Sequence, residues 1–169
     1  MKTQKTYKTY KKRKKSCFEE HTHSQCVSEA MEKAEAFCRE KGLRLTALRR
    51  SVLETVWEAQ KPLNAYDILS LQKDLSDTAP ICVYRALDFL ADNGLVHRLN
   101  KMFVACRFIG EEHVSMVLVC SDCSKTEEIK TDRLFKEFKK LCEGHKFKPD
   151  AMTVEIKGVC PSCRTRKKR

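Results

Sequence analysis

From Val27 the apolar positions recur in threes and fours: Val27, Met31, Ala34 and Cys38 share one helical face, and Gly42 is placed to close that helix. Thr46 is the N-cap of a second helix with an apolar stripe of Leu48, Val52, Leu53, Val56 and Trp57, and Pro62 follows its stop. Asn64, with Asp67 three residues on, has the pattern of a capping box leading into Ile68, Leu69 and Leu71. A fourth helix opens at Pro80, which suits the first helical position, and closes before Gly94. The period then changes. Leu95 to Cys106, rich in Val, Leu and Phe around an Asn100-Lys101 turn, predicts a β-hairpin. Helices followed by a hairpin within about eighty residues is the order of a winged helix-turn-helix.

The second half patterns differently. Val117-Leu118-Val119 reads as a buried strand and Thr126 to Lys130 as a second. Residues 131–143 read as a helix with Leu134, Phe135, Phe138, Leu141 and Cys142 inward, ended by Gly144, and Ala151 to Lys157 alternates as a further strand. The chain is therefore α+β, with helices and a hairpin first and a ββαβ unit second.

On a helical wheel centred on Val83, Ala86, Leu87 and Leu90 lie within about 60° and form a buried stripe, whereas Ile81 and Arg85 fall at about 160° and 200° and face outward. Tyr84 sits on the flank. An outward Arg in the first turns of a helix can bridge O6 and N7 of a guanine, and a neighbouring Tyr can bond phosphate or pack on a thymine methyl.

Charge sharpens this only in part. The net charge is +11, but residues 1–16 carry eight Lys or Arg and residues 164–169 five, with no acid in either, so residues 17–163 sum to −2. The basic segments read as solvated runs that add sequence-independent phosphate attraction, and the first as disordered. Neither an apolar leader nor an apolar run of membrane-spanning length is present in the sequence, and a cytoplasmic protein with reduced thiols is expected.

Ten cysteines change the picture more than charge does. Cys120-Ser-Asp-Cys123 and Cys160-Pro-Ser-Cys163 are two C-x2-C knuckles, and four thiolates are the number that closes a tetrahedral structural zinc site. The 36 residues between the pairs leave room for the predicted helix and strand. Near the start, Cys17, His21, His23 and Cys26 are four further potential ligands, read as incidental chelators in a tail.

Several segments resemble the ferric uptake regulator family. Arg44-Leu45-Thr46 with Arg49, then Ala65-Tyr66-Asp67-Ile68-Leu69, then Val83-Tyr84-Arg85-Ala86-Leu87-Asp88-Phe89-Leu90 resemble its DNA-binding half. Gly94-Leu95-Val96-His97 and the two knuckles resemble its hinge and dimerisation half. The resemblance spans roughly residues 28–163. It implies a homodimer whose winged helices bind a palindromic AT-rich operator through residues such as Arg44, Tyr66, Tyr84 and Arg85. His97, Cys106, His113 and Glu128 match, in order, the regulatory ligands of the zinc uptake regulators. A thiolate with two imidazoles and a carboxylate suits tetrahedral zinc. Two zinc ions per subunit are thus implied. Cys82 stands where the family has Thr, Ala47 and Leu48 where it has Pro and Gln, and Ser124 where it has Gly.

The expectation is a zinc-responsive repressor of zinc-uptake genes, with no membrane partner and no small-molecule substrate. Its parts are a basic extension (1–26), a winged-helix domain with hinge (27–105), a metal-binding dimerisation domain (106–163) and a basic tail (164–169). The alternatives are an iron or peroxide sensor of the same family and, from another class, a C-x2-C thiol oxidoreductase. The residues offer no Ser-His-Asp or paired-carboxylate arrangement that would indicate an enzyme.

Overall fold

A computed structural model describes residue 18 and residues 23–72, 78–111, 113–130, 132–149 and 152–166. Four helices come first: α1 (His23–Glu40), α2 (Ala47–Ala59), α3 (Ala65–Leu71) and α4 (Pro80–Asp92). The local signals explain their ends. The Thr46 side chain accepts from Arg49 N–H, and Asn64 accepts from the N–H groups of Tyr66 and Asp67 while the Asp67 carboxylate accepts from Asn64 N–H. That reciprocal box satisfies backbone donors that a seven-residue helix would otherwise leave open. Pro80 occupies the first turn of α4, and Gly42 and Gly94 take the positive φ that follows a helix end.

The first core is shared by these helices. Val27, Met31, Ala34 and Cys38 of α1, Val52, Leu53 and Val56 of α2, Ile68 of α3, and Val83, Ala86, Leu87 and Leu90 of α4 are all buried in it. The helical wheel of α4 is therefore the observed one. Strands β1 (Val96–Leu99) and β2 (Met102–Ala105) pair antiparallel across the Asn100-Lys101 turn, with Asn100 at φ 58°. Leu63 and Phe103 exchange backbone bonds of 3.0 and 2.7 Å, which fastens the hairpin to the α2–α3 connection and completes the winged-helix architecture.

The second unit is a three-stranded sheet in the order β4-β3-β5, from β3 (Ser115–Cys120), β4 (Thr126–Ile129) and β5 (Thr153–Gly158), with α5 (Asp132–Gly144) between β4 and β5. β3 is antiparallel to β4 and parallel to β5. Among the described residues, β1 approaches β5, and three further contacts join the units. Gln60, left-handed after α2, accepts from Thr126 N–H (2.8 Å) and Oγ1–H (3.3 Å). Leu99 and Val104 of the hairpin bury against Val117 of β3. The third is the polar cluster described below.

Three expectations differ from this structure. α1 starts at His23, inside the segment read as extension, because the His23 imidazole meets the Trp57 carbonyl at 2.8 Å, a long-range contact without a local signal. The basic tail begins inside a helix, α6 (Pro161–Arg166). The apolar face of α5 does not turn inward: none of Leu134, Phe135, Phe138, Leu141 and Cys142 is buried, and Leu141 is 60% exposed. Periodicity reports that a helix has an apolar face, and here the single chain does not cover it.

Candidate metal centres and nucleic-acid interface

The end of β3 delivers Cys120 and the following turn Cys123; Cys160 lies two residues past the end of β5, and α6 carries Cys163. One ligand atom from each lies within 4.8 Å of every other. All four are free thiols. Cys123 Sγ and Cys160 Sγ are 3.8 Å apart, and a zinc–sulfur bond of about 2.3 Å in a tetrahedron gives edges of about 3.8 Å. The Cys160 N–H donates to Cys120 Sγ at 3.3 Å, and chiefly through this bond the Cys120 thiol is held down to about 6. Cys163 moves the other way, pushed up to about 12 by its contact with Cys160 and by burial. Four sulfurs this close cannot all ionise without a cation among them, and the donor set fits zinc. Phe18 packs against this cluster, its carbonyl accepting from Ser162 Oγ–H at 3.2 Å.

The second cluster gathers residues dispersed in sequence. His97 lies on β1, Cys106 just past β2, His113 before β3 and Glu128 on β4. Although Cys106 opens the segment read as the second domain, its N–H donates to the Leu95 carbonyl at 3.1 Å, so it sits with the hairpin and each unit contributes two. Their ligand atoms also lie within 4.8 Å of one another. Cys106 Sγ is 3.8 Å from His113 Nε2, and Glu128 Oε1 is 3.0 Å from His113 Nε2 and 2.7 Å from His97 Nε2. That last approach is not aligned as a hydrogen bond, and buried His97 Nε2 has no other partner. An orphaned donor-acceptor aimed at a carboxylate and a thiol is the arrangement that a shared cation would satisfy. A thiolate and a carboxylate also balance the charge of a divalent ion, so the residues fit zinc here as well.

Glu128 is only 5% exposed, and burial alone would raise its pKa. The bond to His113 and the close approach of the His97 imidazole, with Arg107 N–H donating at 2.6 Å, outweigh that and hold the carboxyl down to about 2. Ser115 Oγ–H donates to the same carboxylate at 2.9 Å. Burial and the Glu128 charge push the Cys106 thiol far above its ordinary range. His113 Nδ1 lies 2.7 Å from the Glu111 carbonyl, which turns Nε2 toward the other ligands, and the Phe108 ring packs edgewise on the same imidazole. Ser115, Arg107 N–H and the Glu111 carbonyl carried no sequence signal, since their roles exist only once Glu128 and His113 are in place.

Of the four residues assigned to DNA, the structure brings two together: the Tyr66 and Tyr84 rings meet edge to face at 6.4 Å. Tyr66, in the first turn of α3, is 62% exposed. Arg85 is exposed on α4, and Arg44 is exposed on the turn before α2, its carbonyl held by Arg49 Nη1 at 2.6 Å. The Arg49 guanidinium stacks 3.4 Å from the Phe89 ring centre, so it braces α2 against α4, a role the sequence did not suggest. In the early cluster, His23 is engaged with Trp57 and Cys26 is half-buried, while Cys17 and His21 lie outside the described residues.

Comparison with known proteins agrees with this geometry. The profile of the Ferric uptake regulator family matches residues 40–157. A zinc uptake regulation protein of Escherichia coli (strain K12) is 30% identical over 141 residues, covering 81% of this chain and 82% of that protein. A solved zinc uptake regulator complexed with zinc and DNA superposes with a TM-score of 0.75 at 27% identity, over 89% of this chain and all of that one. The crystal structure of holo XcZur gives 0.72 at 34% identity, over 85% of this chain and 99% of its own.

Proposed function

The chain belongs to the ferric uptake regulator family, and from that premise we propose that it is a zinc-responsive, DNA-binding transcriptional regulator that represses zinc-uptake genes when zinc-loaded. The observation that carries this reading is the convergence of His97 and Cys106 from the winged-helix unit with His113 and Glu128 from the sheet unit, all within 4.8 Å. A bound zinc supplies a divalent charge that joins two donors from each side. The residues themselves do the rest. Glu128 is preset by Ser115 and Arg107 N–H, and His113 by the Glu111 carbonyl, so little reorganisation opposes binding.

Cys120, Cys123, Cys160 and Cys163 hold a second zinc that is part of the fold, giving two per subunit. Both sets are closed with four protein donors and keep no position for a substrate, which is why we assign no catalytic role. The uncovered face of α5 and the exposed outer strand β5 support a homodimer in which a second copy covers them. Two recognition helices held at one spacing then match a two-fold symmetric, AT-rich operator on double-stranded DNA. No helix among the described residues is long and apolar enough to cross a membrane, and the reading places the protein in the cytoplasm.

Fixing the joint shifts the population toward the DNA-competent spacing, so zinc and operator tighten each other reciprocally. The test is operator affinity of the full chain titrated against buffered zinc, with iron, manganese and peroxide in parallel. Zinc should tighten binding by about 5–150-fold. Tightening by iron, or a response to peroxide, with no response to zinc would assign the chain to a different sensing branch.

A further inference from the structure

The outward stripe of α4 runs Ile81, Arg85, Asp88, Asp92, and all four are exposed. Its chemistry is split. The C-terminal half carries two carboxylates, one of them paired with Arg98 at 2.7 Å, and carboxylates repel a phosphate backbone. The N-terminal half carries Arg85 and, one turn earlier, Ile81, which is 55% exposed on a surface where the helix dipole and the guanidinium are both positive. This half is the one whose charge suits DNA, and the β-branched hydrocarbon at its tip lies outside the core clusters of the described residues.

Apolar side chains in the major groove have one specific target, the C5 methyl of thymine. An amide or guanidinium reads base edges by hydrogen bonding; an isoleucine can discriminate only by excluding water from a methyl group. Residues 81 and 85 are separated by about 6 Å along the helix, close to two base-pair steps of about 3.4 Å.

Deepening the DNA-binding reading above, we propose that Ile81 is a specificity-determining residue that reads a thymine methyl about two base pairs from the purine contacted by Arg85. Its exposed position also makes it a clean residue to change, since Ala at the second position of a helix keeps the fold and the α4 core stripe of Val83, Ala86, Leu87 and Leu90.

The experiment uses the full chain with zinc and a duplex selected by that chain from a random library. Each thymine of the selected operator is replaced singly by uracil, which removes one methyl and nothing else. For the unaltered protein, one uracil per half-site should weaken binding by about fourfold, the value of one methyl-sized group taken from water. Ile81→Ala should bind the thymine operator about fourfold more weakly per half-site and show no further loss with that uracil, whereas Ile81→Val should keep most of the sensitivity. Equal uracil sensitivity in the unaltered protein and Ile81→Ala would overturn the assignment, as would an operator in which no thymine is methyl-sensitive. If zinc-dependent selection itself succeeds in those cases, the regulator reading stands and only the role of Ile81 falls. A chain that selects no duplex at all overturns both.

Discussion

Replacing Cys106 with Ser exchanges one atom in the joint between the units and leaves the shape nearly unchanged. Cys106 is fully buried, 3.8 Å from His113 Nε2 and beside Glu128. With the thiolate present, two negative ligands balance a divalent cation; a serine hydroxyl stays neutral, so the loaded site would carry an uncompensated positive charge out of water. Two unit charges about 4 Å apart attract by about 4 kcal/mol at the effective dielectric of a protein site. Part of that attraction offsets the cost of ionising a thiol which burial and Glu128 hold far above its ordinary range. A net loss of about 2–4 kcal/mol remains, or roughly 30–1000-fold in zinc affinity. The assay is operator binding of the full chain across buffered free zinc. Cys106→Ser should move the midpoint of the response upward by that factor, keep the four-cysteine zinc, and leave dimerisation intact. Glu128→Gln should shift the midpoint in the same direction, because it removes the other negative ligand. A Cys106→Ser midpoint within threefold of the unaltered protein would refute the view that these four residues are the sensing site.

Cys123→Ser should unfold or dissociate the sheet unit, because the free energy of binding a structural zinc is folding free energy; a zinc-free variant with a cooperative, dimeric sheet unit would contradict this. Arg85→Ala should cost about 1–3 kcal/mol on selected operators and relax preference at one position per half-site, against a uniform loss on all DNA if Arg85 only contacts phosphate. Asn64→Ala removes the acceptor of two N–H bonds, 2.8 and 3.0 Å long, at the start of α3. It should lower stability by about 0.5–2 kcal/mol in denaturant titration, and Asn64→Asp should retain most of it.

Signals carried within a few residues were legible in the sequence. The capping box of Asn64 and Asp67, the N-cap Thr46, the stripe of α4 and the knuckle spacing are local, and the structure contains each of them. What depends on distant partners was not legible. No spacing rule unites His97, Cys106, His113 and Glu128; they were named only through a family resemblance, and chain topology brings them together. The face of α5 was detected but its covering was misplaced, since amphipathicity says nothing of whether the other wall belongs to the same chain. Helix α6 was hidden because Arg164 and Arg166 read as a solvated run, whereas Cys163 ties its first turn to the knuckle.

On the proposed reading, two clusters that each fit zinc take opposite roles because of what each connects. Cys120 and Cys123 end and follow β3, and Cys160 and Cys163 follow β5, so a cation there ties two neighbouring strands of one sheet. Breaking that tie removes the sheet unit's own support. His97, Cys106, His113 and Glu128 instead span a joint that also holds the Gln60–Thr126 bonds, a small buried cluster of Leu99, Val104 and Val117, and the approach of β1 to β5. The winged-helix unit keeps its own core on one side, and the sheet unit keeps its strand pairing and the cysteine cluster on the other, so on the proposed reading loosening this joint changes their relative placement rather than their folds. A joint whose buried apolar cluster is this small is within reach of a coupling energy of about 1–3 kcal/mol, whereas a large apolar interface would stay closed whether or not metal arrived. On the proposed reading, sensing by the second cluster depends on how readily the contacts around it rearrange as well as on the ligands in it.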